Sequence, residues 1–286
     1  MIFACTLLIA SGIRLIQTRD VQAAASYVSL AEKLPGDSAA VVTEKIGSFW
    51  FRNNGGYLYY SPSQNGSYSY AGYVGGSYTN GSKILNISYD GYLQLITCKS
   101  GAVKKLKKLP GFVQAGEGDA WRISAIYGKR VYLTRSSFYK GKHWTYLYRL
   151  NKKTFKKVRS NCSINESKGK YFVAERKYHT DVSAVPQDLY KSTASGLKKI
   201  KTLTKYGLSP KIVGKKIYYA SYSDSSMKKA TLYRCKLDGT GKKNLGSFQV
   251  SGQFSQVYIH SFTSTYCTVN LDGTNYRYIY STRELI

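Results

Sequence analysis

Carboxylates are scarce in this chain: Asp+Glu number 15 in 286 residues, against 43 Lys+Arg, for a formal net charge of +28. A glycan hydrolase or lyase needs two or three acidic groups converging on one bond, one as acid and another as base or nucleophile. The supply is thinner still, because Asp90, Asp238 and Asp272 each precede a glycine and read as turn residues. His143, His179 and His260 are the only histidines, and their separations of 36 and 81 residues match no metal-ligand spacing. No nucleophile-elbow sequence anchors a Ser-His-Asp triad, and no phosphate-cradling glycine loop opens a helix. Helical signals are missing too, since no window past the first 25 residues holds apolar side chains at i, i+3 and i+4 for three turns. These gaps argue against catalysis, a cofactor or a metal, and they leave a chain that is nearly all β.

The apolar stretch at residues 2–13 is too short to cross a bilayer. It precedes the small-residue site Ala23-Ala24-Ala25, so residues 1–25 read as a signal peptide and the mature chain as secreted or cell-surface, with no transmembrane span. A short amphipathic anchor is the competing reading, because Arg14 and Arg19 lie between the stretch and the cut. Removal of Cys5 leaves Cys98, Cys162, Cys235 and Cys267, none at metal-ligand spacing. Cys98, Cys235 and Cys267 fall in alternating strand patterns, where a buried free thiol is ordinary.

What the chain has in excess is positive charge and tyrosine. A balance of +28 attracts polyanions, whether nucleic acid, anionic lipid or the phosphate and carboxylate polymers of a cell wall. The lysines come in dispersed pairs such as Lys104-Lys105, Lys107-Lys108, Lys156-Lys157, Lys198-Lys199 and Lys242-Lys243, which read as turn and strand-end residues that discourage edge-to-edge aggregation. Tyrosine, at 28 residues, suits a fold in which rings pack between sheets while hydroxyls find partners at the sheet edge.

Self-similarity decides the architecture. A glycine turn followed by an apolar, tyrosine-bearing strand recurs at Gly56-Tyr57-Leu58, Gly91-Tyr92-Leu93, Gly128 to Leu133, Gly169 to Val173 and Gly214 to Tyr219, with a sixth copy at Ser255 to Ile259. Aligning Leu58, Leu93, Val131, Phe172, Ile217 and Val257 gives intervals of 35, 38, 41, 45 and 40 residues. Each later unit carries a second strand and a polar turn, as in Leu232-Tyr233-Arg234-Cys235-Lys236-Leu237-Asp238-Gly239, where Asp-Gly is a hairpin signal. Three or four short strands in about 40 residues make one propeller blade. The expectation is an all-β propeller of about six blades over residues 49–286, with residues 26–48 as a segment that could supply a strand closing the ring.

The stretch Val213-Gly214-Lys215-Lys216-Ile217-Tyr218-Tyr219-Ala220 through Thr231-Leu232-Tyr233-Arg234-Cys235-Lys236-Leu237-Asp238-Gly239-Thr240-Gly241-Lys242-Lys243 resembles the bacterial extracellular β-propellers whose blades are similar to those of low-density-lipoprotein-receptor-related proteins. It covers one blade well and residues 126–280 loosely. The receptor propellers carry a Tyr-Trp-Thr-Asp strand where this chain has Ile217-Tyr218-Tyr219-Ala220, so receptor ligands do not transfer. The resemblance implies a six-bladed fold outside the cell with no known catalytic residues. Cell-wall-binding hairpin repeats are the rival, but those recur about every 20 residues with tryptophan, and only Trp50, Trp121 and Trp144 occur here.

Candidate site residues lie where aromatic and basic side chains adjoin in loops: Tyr139, Lys142, His143 and Trp144; Arg176, Tyr178 and His179; and Tyr68 to Tyr70. Exposed rings stack on sugars while Lys and Arg hold phosphate or carboxylate. Glu117 and Asp119 beside Trp121 form the one suggestive acidic cluster. The expectation is a noncatalytic binding or scaffold module at the cell envelope, its ligand an anionic cell-wall polymer, a carbohydrate or a partner protein; export argues against nucleic acid. The alternative is a glycan-active hydrolase or lyase using Glu117 and Asp119 with His143 or His179.

Overall fold

The computed structural model describes residues 27–35, 41–54, 56–73, 76–112, 119–137, 140–176, 184–208, 210–249, 257–271 and 273–286. The signal-peptide expectation for residues 1–25 lies outside them. The chain is a β-propeller of six antiparallel sheets. It opens with β1 (Val28–Ser29) and one turn of helix, α1 (Leu30–Lys33). The first blade is β2 (Val42–Ile46), β3 (Phe49–Asn54), β4 (Tyr57–Ser61) and β5 (Ser69–Tyr73). The second is β6 (Tyr78–Thr79), β7 (Lys83–Ile87), β8 (Tyr92–Thr97) and β9 (Val103–Lys108), and the third is β10 (Asp119–Tyr127), β11 (Arg130–Ser137), β12 (Lys142–Arg149) and β13 (Thr154–Ser160). The fourth is β14 (Ser163–Lys168), β15 (Tyr171–Glu175), β16 (Val185–Ser192) and β17 (Leu197–Gly207). The fifth is β18 (Lys211–Val213), β19 (Lys216–Tyr222), β20 (Lys229–Lys236) and β21 (Lys243–Gln249), and the sixth is β22 (Val257–His260), β23 (Tyr266–Leu271) and β24 (Thr274–Ile279). Residues 250–256, ahead of β22, lie outside the described residues.

Within each blade the strands pair in chain order, so every connection is a local hairpin. The middle strands of the third and fifth blades are buried on both faces because a blade lies on either side: β11 and β19 each bury a run of four residues. The fourth strands have only one flank to cover and alternate weakly. In β9 only Leu106 is partly buried. Between the third and fourth strands a register shift recurs in five blades, at Leu58/Tyr59, Leu93/Gln94, Thr145/Tyr146, Leu189/Tyr190 and Leu232/Tyr233. Each such bulge adds local twist, which lets flat hairpins splay into propeller blades.

Among the described residues five apolar clusters form the interior, four of them shared by two consecutive blades and one by the fourth, fifth and sixth. Leu58, Leu93, Val131, Phe172, Ile217 and Val257, the aligned positions of the repeat, are all fully buried. Each such side chain is worth about 1.5–3 kcal/mol on burial. Tyrosine hydroxyls then staple neighbouring blades. Tyr132 Oη lies 2.6 Å from Ser192 Oγ, Tyr222 Oη accepts the Ile259 N–H at 3.0 Å, and Tyr278 Oη donates to Leu245 O at 3.1 Å. Close approach sets glycine at two blade edges, since a Cβ on Gly72 would lie 2.4 Å from Ile87 O and one on Gly246 2.1 Å from Tyr278 Oη. Cys98, Cys162, Cys235 and Cys267 are buried free thiols.

At the start of the chain β2 pairs with β3 in the first blade and β1 with β6 of the second; α1 follows β1, with Leu30 and Leu34 fully buried between those two blades. Two features differ from the sequence reading. The aligned glycine turn precedes the second strand in the third to fifth blades, but Gly56 and Gly91 precede the third strand in the first and second. The equivalent turns there are at Gly47 and Gly81. Finally, Lys104, Lys105, Lys107, Lys108, Lys156, Lys157, Lys198 and Lys199 lie within the fourth strands rather than in turns. Residues facing solvent on an outermost strand are free to be charged, and a pair of adjacent lysines alone does not tell a turn from such a strand.

Candidate functional site

Strand pairing brings several sequence-derived candidates to one end of the third blade. Asp119, Ser137 and Lys142 form one cross-strand row, Ala120, Ser136 and His143 the next, and Trp121, Arg135 and Trp144 the third. Directly opposed residues share a face. The Arg135 guanidinium accordingly sits 5.9 Å from the Trp121 ring and 5.3 Å from the Trp144 ring. Trp121 is buried against Tyr146 and Phe155, so it packs in the seam with the second blade instead of forming an outer platform. Trp144 is half-buried and is the ring of the pair that a ligand can reach.

His143 points to the opposite face and is only 6% exposed. Its Nδ1 lies 2.8 Å from Ser136 Oγ and its Nε2 3.5 Å from Glu175 Oε1 of the fourth blade. It links two blades. Lys142 beside it is exposed. Glu117, Tyr139, Tyr178 and His179 lie outside the described residues, as does the side chain of Asp119. Among the described residues no group of three or more His, Cys, Asp or Glu side chains forms a metal-binding set, and no helix is long and apolar enough to cross a membrane.

Arg176 does join a cluster, around a residue the sequence reading did not single out. Asp188, fully buried in β16, has its Oδ2 3.0 Å from Arg176 Nε and 2.9 Å from Lys199 Nζ, and Tyr190 donates to the same oxygen at 3.2 Å. The Arg159 guanidinium of the third blade covers the Tyr190 ring at 5.4 Å. Burial raises the Tyr190 hydroxyl well above its usual range, with Cys162 and Asp188 adding to the effect. The available signal was a carboxylate on the same face of an alternating strand as Tyr190, a position that solvates no charge.

A second feature lies between the first and second blades. A hollow of about 310 Å³ is lined by Tyr60, Tyr70 and Tyr89 with Ser88, Asp90 and Gln94. Tyr89 is 50% exposed and meets the Tyr70 ring edge-on at 5.7 Å. At its lip Lys105 Nζ bonds Asp90 Oδ2 at 2.6 Å, and this ammonium together with the Ser88 hydroxyl holds the Asp90 carboxyl below the usual range. Lys108 donates to the Asp90 carbonyl. Lys105 and Lys108 both ride over the Tyr92 ring.

From this lip the fourth strands carry cations around the periphery: four in β9, three in β13, four in β17 and one in β21, with no carboxylate in any of them. The blade seams do not interrupt the belt. Lys107 of the second blade lies over Phe155 of the third, Arg159 over Tyr190 of the fourth, and Lys201 Nζ donates to Gly239 O of the fifth.

No protein-family model and no curated relative matches the chain. Solved structures similar to it include a β-propeller domain. The β-propeller domain of the Trilobed protease from Pyrococcus furiosus is 13% identical, covering 88% of this chain and 71% of that one, with a TM-score of 0.41. Oligogalacturonate lyase from Vibrio parahaemolyticus is 8% identical over 94% of this chain and 82% of the other, at 0.49. The tricorn protease is 15% identical over 88% of this chain at 0.38, and the chain spans only 26% of its length. At such identities the likeness is one of fold.

Proposed function

We propose that the protein is an exported, noncatalytic module that holds an anionic glycopolymer at the cell envelope. One observation carries this: a tyrosine-lined hollow of sugar size opens directly onto a belt of cationic strands that contain no carboxylate. Tyr89 offers a ring face for a pyranose, and the lysines beyond it meet charges that repeat along a polymer. Neutral carbohydrate would use the hollow and leave the belt idle. The apolar stretch before Ala23-Ala24-Ala25, and the resemblance of the best blade to extracellular propellers, support a location outside the cell.

Sedimentation or biolayer binding of residues 26–286 to poly(glycerol phosphate) wall polymer, polygalacturonate, dextran and single-stranded poly-dT tests the proposal. Either anionic glycopolymer should bind at about 0.05 M salt and weaken steeply toward about 0.5 M, where the screening length is a few ångströms. Dextran, which meets the hollow alone, should bind more weakly than either and without salt dependence. Tighter binding of poly-dT than of both anionic glycopolymers would overturn the assignment in favour of nucleic acid.

A further inference from the structure

We propose that the cleft between the fifth and sixth blades is a specific site for one phosphate monoester carried on a small sugar or polyol. The cleft has a volume of about 420 Å³ and is lined by Arg234, Lys243 and Arg283, with Ser264, Thr265 and Ser281 and the Tyr280 ring. Among the described residues no carboxylate lines it. That size falls in the range of small-ligand sites.

Two of the three cations are placed unfavourably without an anion. Arg234 and Lys243 are direct cross-strand partners on β20 and β21, and like charges so opposed destabilise a sheet. Arg283 comes from the chain that follows β24, which folds back through paired backbone bonds between Arg277 and Ile286. Its backbone has φ +62°, and its N–H donates to Ile279 O at 2.9 Å, closing the turn that brings the chain back. Tyr280 walls the cleft with its ring, which stacks on Tyr218 at 5.8 Å, while its hydroxyl is bonded to the buried Cys267 thiol.

The charge selects the ligand class. A phosphate monoester carries about −1.5 to −2 at neutral pH and presents three strong acceptor oxygens. A single carboxylate leaves two of the three cations unmatched. Two guanidinium forks bind phosphate oxygens in a bidentate manner, and the hydroxyls remain for the polyol. This cleft is remote in sequence and blade from the tyrosine-lined hollow, so either assignment can fail alone.

Calorimetric titration of the full chain with glucose 1-phosphate, inorganic phosphate, glucuronate and glucose, at about 0.15 M salt, provides the test. Glucose 1-phosphate should bind one to one, and glucuronate at least about tenfold more weakly. Arg283→Gln, on an exposed tail, should lower glucose 1-phosphate affinity at least about tenfold while the melting temperature and polymer binding stay unchanged. Arg234→Gln is the second variant, with the same expectation. Affinity should also fall between about pH 7.5 and pH 5, as the second phosphate proton returns. Unchanged affinity in both variants, or glucuronate matching glucose 1-phosphate, would overturn the site. Inorganic phosphate binding as tightly as glucose 1-phosphate would refute the polyol half.

Discussion

Replacing Asp188 by alanine should destabilise the protein by about 2–3 kcal/mol, a magnitude that follows from its surroundings. The carboxylate is fully buried, with Arg176 Nε and Lys199 Nζ at 3.0 and 2.9 Å. Unit charges about 4 Å apart attract by about 4 kcal/mol at an effective dielectric constant near 20, and desolvating the carboxylate offsets much of that. Breaking a sealed pair leaves a stranded charge and costs about 3–5 kcal/mol. Here the cations are 42% and 34% exposed, so they can turn toward water, and the cost falls below that range. Urea unfolding followed by tryptophan fluorescence measures it, and the melting temperature should drop by roughly 4–10 °C. Lys199→Met alone should cost less than Asp188→Ala, because Arg176 still neutralises the acid. A loss under about 0.5 kcal/mol for Asp188→Ala, or an equal loss for Lys199→Met, would refute the electrostatic account.

Gly246→Ala should cost more than about 2 kcal/mol, since its Cβ would lie 2.1 Å from Tyr278 Oη; adding Tyr278→Phe should recover part of the loss in the same unfolding assay. Alkali should weaken the fold in two stages. Burial lifts the Cys162 and Cys235 thiols from 9.0 to about 11 and the Tyr222 hydroxyl from 10.0 to about 12. Stability is intact below pH 9, where both states keep their protons. It is lost from pH 9 as unfolded thiols ionise, and further from pH 10 to 12 as unfolded tyrosine does; urea midpoints that stay flat between pH 8 and 10.5 would contradict this. Converting Lys104, Lys107, Lys156 and Lys157 together to glutamine should weaken anionic-polymer binding by about 2 kcal/mol, or roughly thirtyfold, at low salt, with little difference from wild type near 1 M salt.

The blade repeat was legible because every aligned apolar position sits in a seam with buried neighbours on both sides, from Leu58 to Val257. Strand rank was not. Glycine turns precede both second and third strands, so Gly56 and Gly91 matched the pattern while standing one strand out of step. Trp121 read as part of a surface cluster because its neighbours in sequence are polar, yet alternation turns its ring into the seam. Asp188 and the fifth-to-sixth-blade cleft depend on residues 9 to 49 positions apart, such as Arg234 with Lys243 and with Arg283. Only pairing register brings such residues together. The cationic belt shows the same limit, because adjacent lysines in a string look alike whether they cap a turn or face outward along a strand.

The partition of the apolar interior into five clusters bears on how the protein can change. Damage at Val269 disturbs the compartment that the fifth and sixth blades share with Ala184 of the fourth, and Leu133 sits in another that has no residue in common with it. Losses at these two positions should therefore sum, as they do for sites with no common neighbours. A molecule built in this way can remodel the rim of one blade while the others keep their footing, so new specificities can arise locally without renegotiating the whole fold.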